Sequence, residues 1–513
     1  MSTEKDVKIS NGVEQNKSYL DRDKDLIYIV DENTGEIDKN RYAAKQEIHD
    51  KGLWHVECDL FIINKKGQIL TQKRSQNVRF NKGKFGIVAN HPTIHQTNID
   101  CILEKAKEEL GIELNKDSIM FLMVAKRETS VFNKKIQYTY YTMFDFDEKQ
   151  IKLNPFFSTE YKWWNYYDLF DKMMQNKDDR EFSFNSLVPS KNQTSDVVFK
   201  CNNYNLLLFS ELKKVIDKNT HTNKVVKNRE LLLLETKDKT TLPCILYKPY
   251  KKVKNIVIFV HGSGGNFFKQ SYLDDLIHHV LYKDCAFMTF NNRGAEQEVN
   301  LYKMVGDRYE RFKGGSKFEN FSESVLDIEA AINEAKNQGF ENIILIGHSL
   351  GTLKVMNYAL KNKDIKNIVI MSPIDAVFRF KARVGIEYDR YISLAKDKVL
   401  AGQGYDMLTN EFSALKIYST YREGCDADTI AYEEGRCDKV LDYDGDVVII
   451  KGTKDHVYGN YSPAYVDEAF RKQFSKANLA IFNIPNADHS YKGYSKVSAK
   501  LLADSIERLL KND

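Results

Sequence analysis

The C-terminal half of the chain alternates short apolar runs with longer stretches in which apolar residues recur at helical spacing. The apolar runs are rich in β-branched residues, which is typical of strands buried on both faces of a sheet. They cover residues 257–260, 286–290, 343–346, 368–371, 447–450 and 479–484. The helical stretches between them include 321–336 and 466–474. This alternation predicts an α/β architecture, a parallel sheet with helices on both faces.

The N-terminal half has a different pattern, in which two strand-like runs precede a helix-like stretch, and this predicts an α+β fold. The strand-like runs cover residues 56–64 and 67–73, and the helix-like stretch covers 103–112. A chain of 513 residues exceeds one ordinary hydrophobic core. Because a polar segment near residues 218–229 separates the two patterns, we expect one domain over residues 20–220 and a second over 228–513.

The pentapeptide Gly347-His348-Ser349-Leu350-Gly351 closes one of the apolar runs and opens the helical stretch 352–360. A strand, a sharp turn and a helix around a serine form a nucleophile elbow, in which small glycines allow a strained turn that exposes the hydroxyl. We expect Ser349 to be a nucleophile. The alternative is an ordinary strand-to-helix turn.

A serine hydroxyl is a poor nucleophile until a histidine takes its proton, and a carboxylate must hold that histidine in place. Two loops that follow later apolar runs offer these groups, and they make Asp455 the candidate acid and His489 the candidate base. Other residues could take the same roles. The rival bases are His261, His348 and His456, and the rival acids are Asp375, Asp444 and Asp446.

The glycine-rich sequence His261-Gly262-Ser263-Gly264-Gly265 follows the first apolar run of the C-terminal half. Its open backbone suits an oxyanion hole, for which we assign the N–H groups of Leu350 and of Ser263 or its neighbour. We expect His261 to be structural. A glycine-rich turn can also bind phosphate, but this one lacks the Gly-Lys-Ser/Thr ending of a P-loop and the dinucleotide fingerprint.

With these motifs in the order Ser, Asp, His, residues 228–513 resemble the α/β-hydrolase superfamily. The resemblance implies a serine hydrolase that acts on a small-molecule ester or related acyl compound without a cofactor. An esterase is preferred on the general frequency of activities in the superfamily. Thioester or amide cleavage, acyl transfer and carbon–carbon bond hydrolysis would use the same three residues.

The stretch 374–443 lies between two predicted strands, at the usual place for a cap in this superfamily. It has helical patterns around residues 388–398 and 426–434 and predicts a lid; the alternative is a surface excursion with its own small core. Some of its residues would form a basic aromatic wall for an acidic substrate, or else a solvated face. They are Phe378, Arg379, Phe380, Lys381 and Arg383.

The N-terminal half contains Gly52-Leu53-Trp54-His55, Gln72-Lys73-Arg74-Ser75 and Asn90-His91-Pro92. With these motifs, residues from about 25 to 175 resemble a Nudix domain of the isopentenyl-diphosphate isomerase-like subgroup. The Nudix box is degenerate, because some of its positions have changed and others remain. Asn90, Gln96, Glu104 and Lys105 replace the glycine, the first glutamate and the Arg-Glu pair, whereas Glu108, Glu109, Gly111 and Ile112 remain. Ala89 stands where the isomerases need a cysteine, so isomerase chemistry is not expected.

The resemblance places His49, His55 and His91 where histidines recur in this subgroup, and imidazoles suit zinc and other transition metals. With Glu109, they are the candidate ligands of a divalent metal. The strand that would add paired carboxylates instead reads Gln137-Tyr138-Thr139-Tyr140. The favoured interpretation is a Nudix fold without a metal that serves recognition or assembly. A diphosphate-processing Nudix enzyme with a quiet hydrolase domain, or a non-catalytic binding protein, would be the alternative functions.

Composition excludes several classes of partner. The formal net charge of +4 is small for the length and is spread over mixed-sign stretches, so no basic stripe for nucleic acid is predicted. The seven cysteines are scattered without a C-x-x-C pair, which favours a reducing compartment. Residues 1–8 are charged, and no apolar run is long enough for a membrane span. We expect a cytoplasmic protein without membrane partners.

Overall fold

The structure is a computed structural model that describes residues 24–32, 34–144, 148–176, 196–219, 229–267 and 272–511. Two parts of the chain used in the sequence analysis, residues 1–8 and most of the polar segment near 218–229, lie outside the described residues.

The N-terminal half is a mixed sheet with helices beside it. Its strands are β1 (Leu26–Val30), β2 (Ile37–Ala44), β3 (Trp54–Asn64), β4 (Gln68–Arg74), β5 (Phe85–Gly86), β6 (Val88–Asn90), β7 (Met120–Ser130), β8 (Asn133–Phe144) and β9 (Ser158–Asn165). Its helices are α1 (Lys45–Lys51), α2 (Asn98–Leu110), α3 (Tyr166–Gln175) and α4 (Asn203–Asn219). Strand β8 is parallel to β3 and antiparallel to β7. The two predicted strands and the helix α2, which begins with a capping box at Thr97, are confirmed.

The C-terminal half contains every strand that the apolar runs predict. The strands are β10 (Arg229–Glu235), β11 (Thr240–Tyr247), β12 (Asn255–Val260), β13 (Ala286–Phe290), β14 (Val299–Val305), β15 (Arg308–Gly314), β16 (Asn342–His348), β17 (Asn367–Met371), β18 (Asp446–Gly452) and β19 (Asn478–Ile484). Strands β13, β12, β16, β17, β18 and β19 pair in that order, all in parallel. Strand β11 adds to β13 in antiparallel fashion, and β10 to β11.

Helices cover both faces of this parallel sheet. They are α5 (Leu273–Tyr282), α6 (Ser324–Asn337), α7 (Leu350–Lys361), α11 (Pro463–Gln473) and α12 (Ser495–Lys511), whereas α8 (Ala376–Val384), α9 (Tyr388–Leu400) and α10 (Ala414–Thr420) belong to the insertion 374–443. Along β12, Ile258 belongs to the same core as Leu353 of α7, whereas Val257 belongs to the core of Leu276 in α5 and Leu502 in α12. Successive strand residues point to opposite faces, so this division explains why the run is apolar throughout.

The insertion 374–443 contains the helices α8, α9 and α10. The helical pattern at 388–398 is confirmed by α9, but the one at 426–434 is wrong, because that segment forms turns. Its polar groups bind outside any helix: Asp428 accepts from the Gly424 amide at 2.9 Å, and the Tyr432 amide donates to Asp375 at 3.2 Å. Phe380 of α8 packs in the main core with Leu353, so the insertion does not bury a separate core of its own.

The two halves share a hydrophobic core and a strand pairing that the sequence analysis did not predict. Phe209 of α4, Ile63 of β3, Ile245 of β11 and Tyr302 of β14 lie in one buried cluster. The hairpin of β14 and β15 extends from the C-terminal half, and its Tyr309 pairs with Ala125 of β7. The proposed boundaries, 20–220 and 228–513, stay a prediction. Within the described ranges, no helix is long and apolar enough to cross a membrane.

Candidate active site

Ser349 lies in the turn between β16 and α7 with a backbone φ of 55° and ψ of −124°. A positive φ is uncommon outside glycine and costs conformational energy, as expected of a strained elbow. The flanking glycines are required by close packing. A Cβ on Gly347 would collide with the Gly351 carbonyl, and one on Gly351 would collide with the Val260 carbonyl.

The side chains of Ser349, His489 and Asp455 form one chain of hydrogen bonds. Nε2 of His489 lies 2.9 Å from Oγ of Ser349, and Nδ1 of His489 lies 2.8 Å and 3.1 Å from the two Asp455 oxygens. The Asp455 side chain is completely buried, and that of His489 is 17% exposed. The geometry therefore brings together the three residues that the sequence analysis selected from three separate loops.

Asp455 is held as a carboxylate. Burial by itself would raise its pKa, but the hydrogen bond and charge of His489 and the Val457 amide at 3.1 Å lower the pKa below its ordinary value. An ionised carboxylate only accepts hydrogen bonds, so Nδ1 of His489 must carry the proton. Nε2 is then free to accept the hydroxyl proton of Ser349.

The rival histidines do not occupy the position of the base. His261 donates from Nδ1 to the Gly262 carbonyl at 2.8 Å and accepts at Nε2 from the Asn292 amide at 3.1 Å, and burial lowers its pKa to about 3. His348 donates to the carbonyl of His489 at 3.0 Å, and burial also lowers its pKa to about 3. Both therefore act as fixed neutral imidazoles.

His456 is the third rival, and it lies at the rim of the site. Its side chain is 68% exposed, with Nδ1 3.9 Å from an Asp455 oxygen. Its ring centre is 5.5 Å from that of His489. It neighbours the acid without taking the place of His489.

The rival acids have other partners. Asp375 caps helix α8 through the Phe378 amide at 2.9 Å and pairs with Arg436 at 3.0 Å. Asp444 and Asp446 lie at the other end of β18. Asp444 pairs with Lys366 at 2.9 Å, and Asp446 accepts from Asn478 at 2.5 Å.

The glycine-rich loop after β12 lies directly against the elbow. A Cβ on Gly262 would come within 2.8 Å of the Ser349 Cβ and 3.2 Å of the Leu350 nitrogen, so only a glycine permits this approach. The amides of Gly264 and Gly265 already donate to the carbonyls of Gly294 and Gly262, at 3.1 Å and 3.2 Å. Of the three amides that follow Gly262, that of Ser263 is the one without a backbone acceptor among the described residues.

Of the proposed basic aromatic wall on α8, only part faces the site. The Phe378 ring packs against Gly459, where a Cβ would come within 3.0 Å of the ring. Nη1 of Arg379 donates to the His456 carbonyl at 3.3 Å. The other members have different surroundings. Phe380 stacks on Tyr421 in the core, Lys381 pairs with Glu423 and Glu433, and Arg383 pairs with Glu411.

In the N-terminal half, His49, His55 and His91 come together, with their nearest ligand atoms all within 4.8 Å of one another. Nδ1 of His55 donates to the Leu53 carbonyl at 3.0 Å, which leaves Nε2 as a ligand atom. Among the described residues, Nε2 of His55 and both nitrogens of His91 are buried without a hydrogen-bond partner. Burial lowers the pKa of His55 to about 4 and that of His91 well below its ordinary value, so both are neutral. Neutral imidazoles with unused nitrogens fit a transition metal.

Glu109 does not join this histidine cluster. Its carboxylate pairs with Lys105 at 2.9 Å and accepts from the amide of Gln72. Lys105, one of the changed positions of the Nudix box, thus forms an ion pair with Glu109, the glutamate that the sequence analysis proposed as a metal ligand.

Two carboxylates of β3, the half-buried Glu57 and the buried Asp59, were missed by the sequence analysis. Glu57 lies 3.6 Å from Nε2 of His91 but pairs with Lys135 at 2.6 Å, and Asp59 accepts from the amide of Gln137. Burial raises the pKa of Asp59 to about 7. The sequence does contain a signal for them: His55, Glu57 and Asp59 alternate along β3, and residues i, i+2 and i+4 of a strand lie on the same face of the sheet.

Comparison with known families agrees with this description. Residues 257–491 match the model of the family described as "Alpha/beta hydrolase family". The C-terminal half therefore has the α/β-hydrolase fold that the motifs predicted, and the chain as a whole is of mixed α/β class.

The N-terminal region is similar to curated isomerases. Isopentenyl-diphosphate Delta-isomerase 2 of Aromatoleum aromaticum is 20% identical over 141 residues, which are 27% of this chain and 71% of that protein. The protein of the same name from Photorhabdus laumondii is 25% identical over 144 residues, 28% of this chain and 77% of that protein. The Nudix resemblance of this region is thereby supported.

Solved structures similar to this chain include esterases, and each of them aligns with 55% of the present chain. Est1E of Butyrivibrio proteoclasticus with ferulic acid is 18% identical, is covered over 99% of its length and has a TM-score of 0.37. The Pyrococcus furiosus esterase Pf2001 is 14% identical, with 91% covered and a TM-score of 0.37. A carboxyl esterase of Bacillus coagulans is 12% identical, with 99% covered and a TM-score of 0.40.

Proposed function

We propose that this protein is a serine hydrolase that cleaves a carboxylic ester or a related acyl bond. The observation that carries the proposal is the continuous hydrogen-bonded chain from Ser349 through His489 to Asp455. The strained elbow at Ser349 and the match of residues 257–491 to a hydrolase family support it. A binding protein would have no need of a strained serine aligned with a histidine and a buried carboxylate.

In the proposed reaction, His489 takes the hydroxyl proton of Ser349 at Nε2 while Oγ attacks the acyl carbon. The oxyanion of the tetrahedral intermediate accepts hydrogen bonds from the amides of Leu350 and Ser263. His489 then gives its proton to the leaving alcohol, and an acyl-enzyme remains on Ser349. A water molecule, deprotonated by His489, attacks this ester, and the collapse of the second intermediate releases the acid and restores the serine. Asp455 stabilises the transient imidazolium throughout.

We propose that the Nudix-like half serves recognition or assembly and does not cleave diphosphates. Diphosphate cleavage needs several carboxylates around a divalent cation. Here Glu109 is engaged by Lys105, and Gln137 and Thr139 occupy the strand that would add carboxylates. Ala89 likewise leaves the isomerase reaction without its thiol.

Labelling with a fluorophosphonate tests the proposed hydrolase function, because the reagent captures only an activated serine. Intact-mass analysis should find one adduct on the wild-type chain and none on Ser349→Ala. Ser490→Ala is the matched control, since Ser490 is an exposed serine in the loop of His489 and should leave labelling unchanged. An adduct that persists in Ser349→Ala would contradict the assignment of the nucleophile, and an unlabelled wild-type chain would favour a binding protein.

A further inference from the structure

A cavity of about 400 Å³ lies between the two halves of the protein. Its wall is formed by β7 of the N-terminal half, the segment around the start of α4, and the hairpin of β14 and β15. Ser349, His489, Asp455 and the three clustered histidines are not among its lining residues. Binding pockets for small molecules commonly have volumes from about 300 to 1,000 Å³. The cavity is therefore large enough for a metabolite and is separate from both sites described above.

Cationic side chains outnumber the carboxylates in the lining. Arg127, Lys200, Arg311 and Lys313 line the cavity together with two carboxylates, Glu128 and Glu298. Each carboxylate is already neutralised: Glu128 pairs with Arg311 at 2.5 Å, and Glu298 pairs with Lys317 outside the lining at 2.5 Å. The remaining charge of the wall is positive.

Both arginines are held in place, and each also acts on a carboxylate: Arg311 pairs with Glu128, and the charge of Arg127 lowers the pKa of Glu57. The guanidinium of Arg127 lies 3.4 Å from the centre of the Tyr204 ring and donates to the amide oxygen of Gln137. Nη1 of Arg311 donates to the Asn300 side chain at 3.0 Å. Fixed guanidinium groups lose little conformational entropy when they bind an anion, which favours recognition of carboxylate and phosphate groups.

Lys313 is exposed at the edge of the cavity. Its ammonium group lies 5.5 Å from the centre of the Phe318 ring, and within the described part of the chain it pairs with no carboxylate. We propose that the cavity is a binding site for a small polyanion that carries phosphate or carboxylate groups. Arg127, Arg311 and Lys313 bind the anionic groups, and the ligand contacts both halves of the protein at once.

Isothermal titration of the full chain tests this site, with pyrophosphate as the phosphate probe and citrate as the carboxylate probe. The protein is first stripped of metal with EDTA, and the chelator is removed by gel filtration, so that neither metal-bridged binding at the histidine cluster nor competition by EDTA contributes. Salt at about 0.15 M suppresses weak association with exposed charges. At least one probe should bind with one site per chain, and the stronger probe identifies the class of anion. Failure of both probes to bind would overturn the proposal.

Lys313→Gln locates the binding within the cavity. This change removes one charge from an exposed position without disturbing the core, and it should weaken binding by about tenfold. Lys303→Gln is the matched control, because Lys303 is exposed on the same hairpin but does not line the cavity. Arg127→Gln should weaken binding further. If wild type, Lys313→Gln and Arg127→Gln bind the probe equally well, the anion does not bind in this cavity, whatever the affinity of Lys303→Gln.

Discussion

Nε2 of His489 lies 2.9 Å from Oγ of Ser349, although the two residues are 140 positions apart in the chain. The parallel order of β16, β17, β18 and β19 produces this contact, because the carboxyl ends of the strands meet at one edge of the sheet. The loops after β18 and β19 carry Asp455 and His489 to the serine at the end of β16.

The first prediction concerns the base and the acid. His489→Ala should reduce ester turnover by several orders of magnitude, and Asp455→Asn should lower kcat by about 10⁴ by favouring the wrong tautomer of His489. His456→Ala is the control, since His456 is exposed and should leave kcat nearly unchanged. Steady-state kinetics with a chromogenic ester would measure all three. A nearly normal rate for His489→Ala would contradict its assignment as the base.

The second prediction concerns the oxyanion hole and compares two changes at one position. Ser263→Ala keeps the backbone N–H and should retain nearly full activity. Ser263→Pro removes that donor and should lower kcat by about 10² to 10³. Thermal unfolding of both variants would check that the fold is intact. Equal activity of two folded variants would exclude the Ser263 amide as a donor.

The third prediction concerns a buried charge cluster, in which Glu319 contacts Lys354 of α7 and Lys416 of α10. All three side chains are completely buried. Glu319→Gln leaves two buried ammonium groups without a counter-charge and should lower the free energy of unfolding by about 3 to 5 kcal/mol. Glu341→Gln, which breaks an exposed pair with Lys254, should cost less than about 1 kcal/mol. Urea unfolding at neutral pH would compare the two variants.

The same cluster predicts how stability depends on pH. Burial alone would raise the pKa of Glu319, but Lys354 and Lys416 lower it from 4.5 to about 2. Between about pH 2 and pH 4.5, Glu319 is protonated in the unfolded chain and ionised in the folded chain. The stabilisation by Glu319 is therefore present above about pH 4.5 and is lost as the pH falls towards 2. Urea titrations across this range should find a smaller loss in Glu319→Gln than in wild type.

The fourth prediction concerns the histidine cluster of the N-terminal half. The sequence favoured a Nudix fold without a metal, but the clustering of His49, His55 and His91 leads us to expect one Zn²⁺ per chain, because three neutral imidazoles are a common zinc ligand set. His55→Ala should abolish this binding in a titration followed by elemental analysis. His95→Ala is the matched control, since His95 is exposed and outside the cluster. The zinc-loaded protein should leave isoprenoid and nucleoside diphosphates unchanged, and metal-dependent turnover would contradict the proposed non-catalytic role.

The fifth prediction concerns substrate charge. Arg379 contacts the loop of the proposed acid, and among the described residues it pairs with no carboxylate, whereas Arg383 on the same helix pairs with Glu411 at 2.6 Å. Arg379→Gln should lower kcat/KM for the para-nitrophenyl hemiester of succinic acid by about tenfold while changing the acetate ester little. Arg383→Gln should affect neither ester selectively. An unchanged ratio of the two esters in Arg379→Gln would exclude this role.

The sequence alone determined the strands of the parallel sheet and the turn at Ser349, because burial on both faces and a strained elbow leave patterns among neighbouring residues. It also placed Asp455 and His489 in loops after strands, which was sufficient to nominate them. It could not establish that His489 and none of its three rivals reaches Ser349, that Lys105 pairs with Glu109, or that Glu57 lies beside His91. Only the tertiary structure decided these contacts, together with the pairing of Tyr309 with Ala125 and the cavity beside it. The physical reason is that such contacts depend on strand order, on helix packing and on the direction of each side chain. These arise between residues distant in the chain and leave no local period in the sequence.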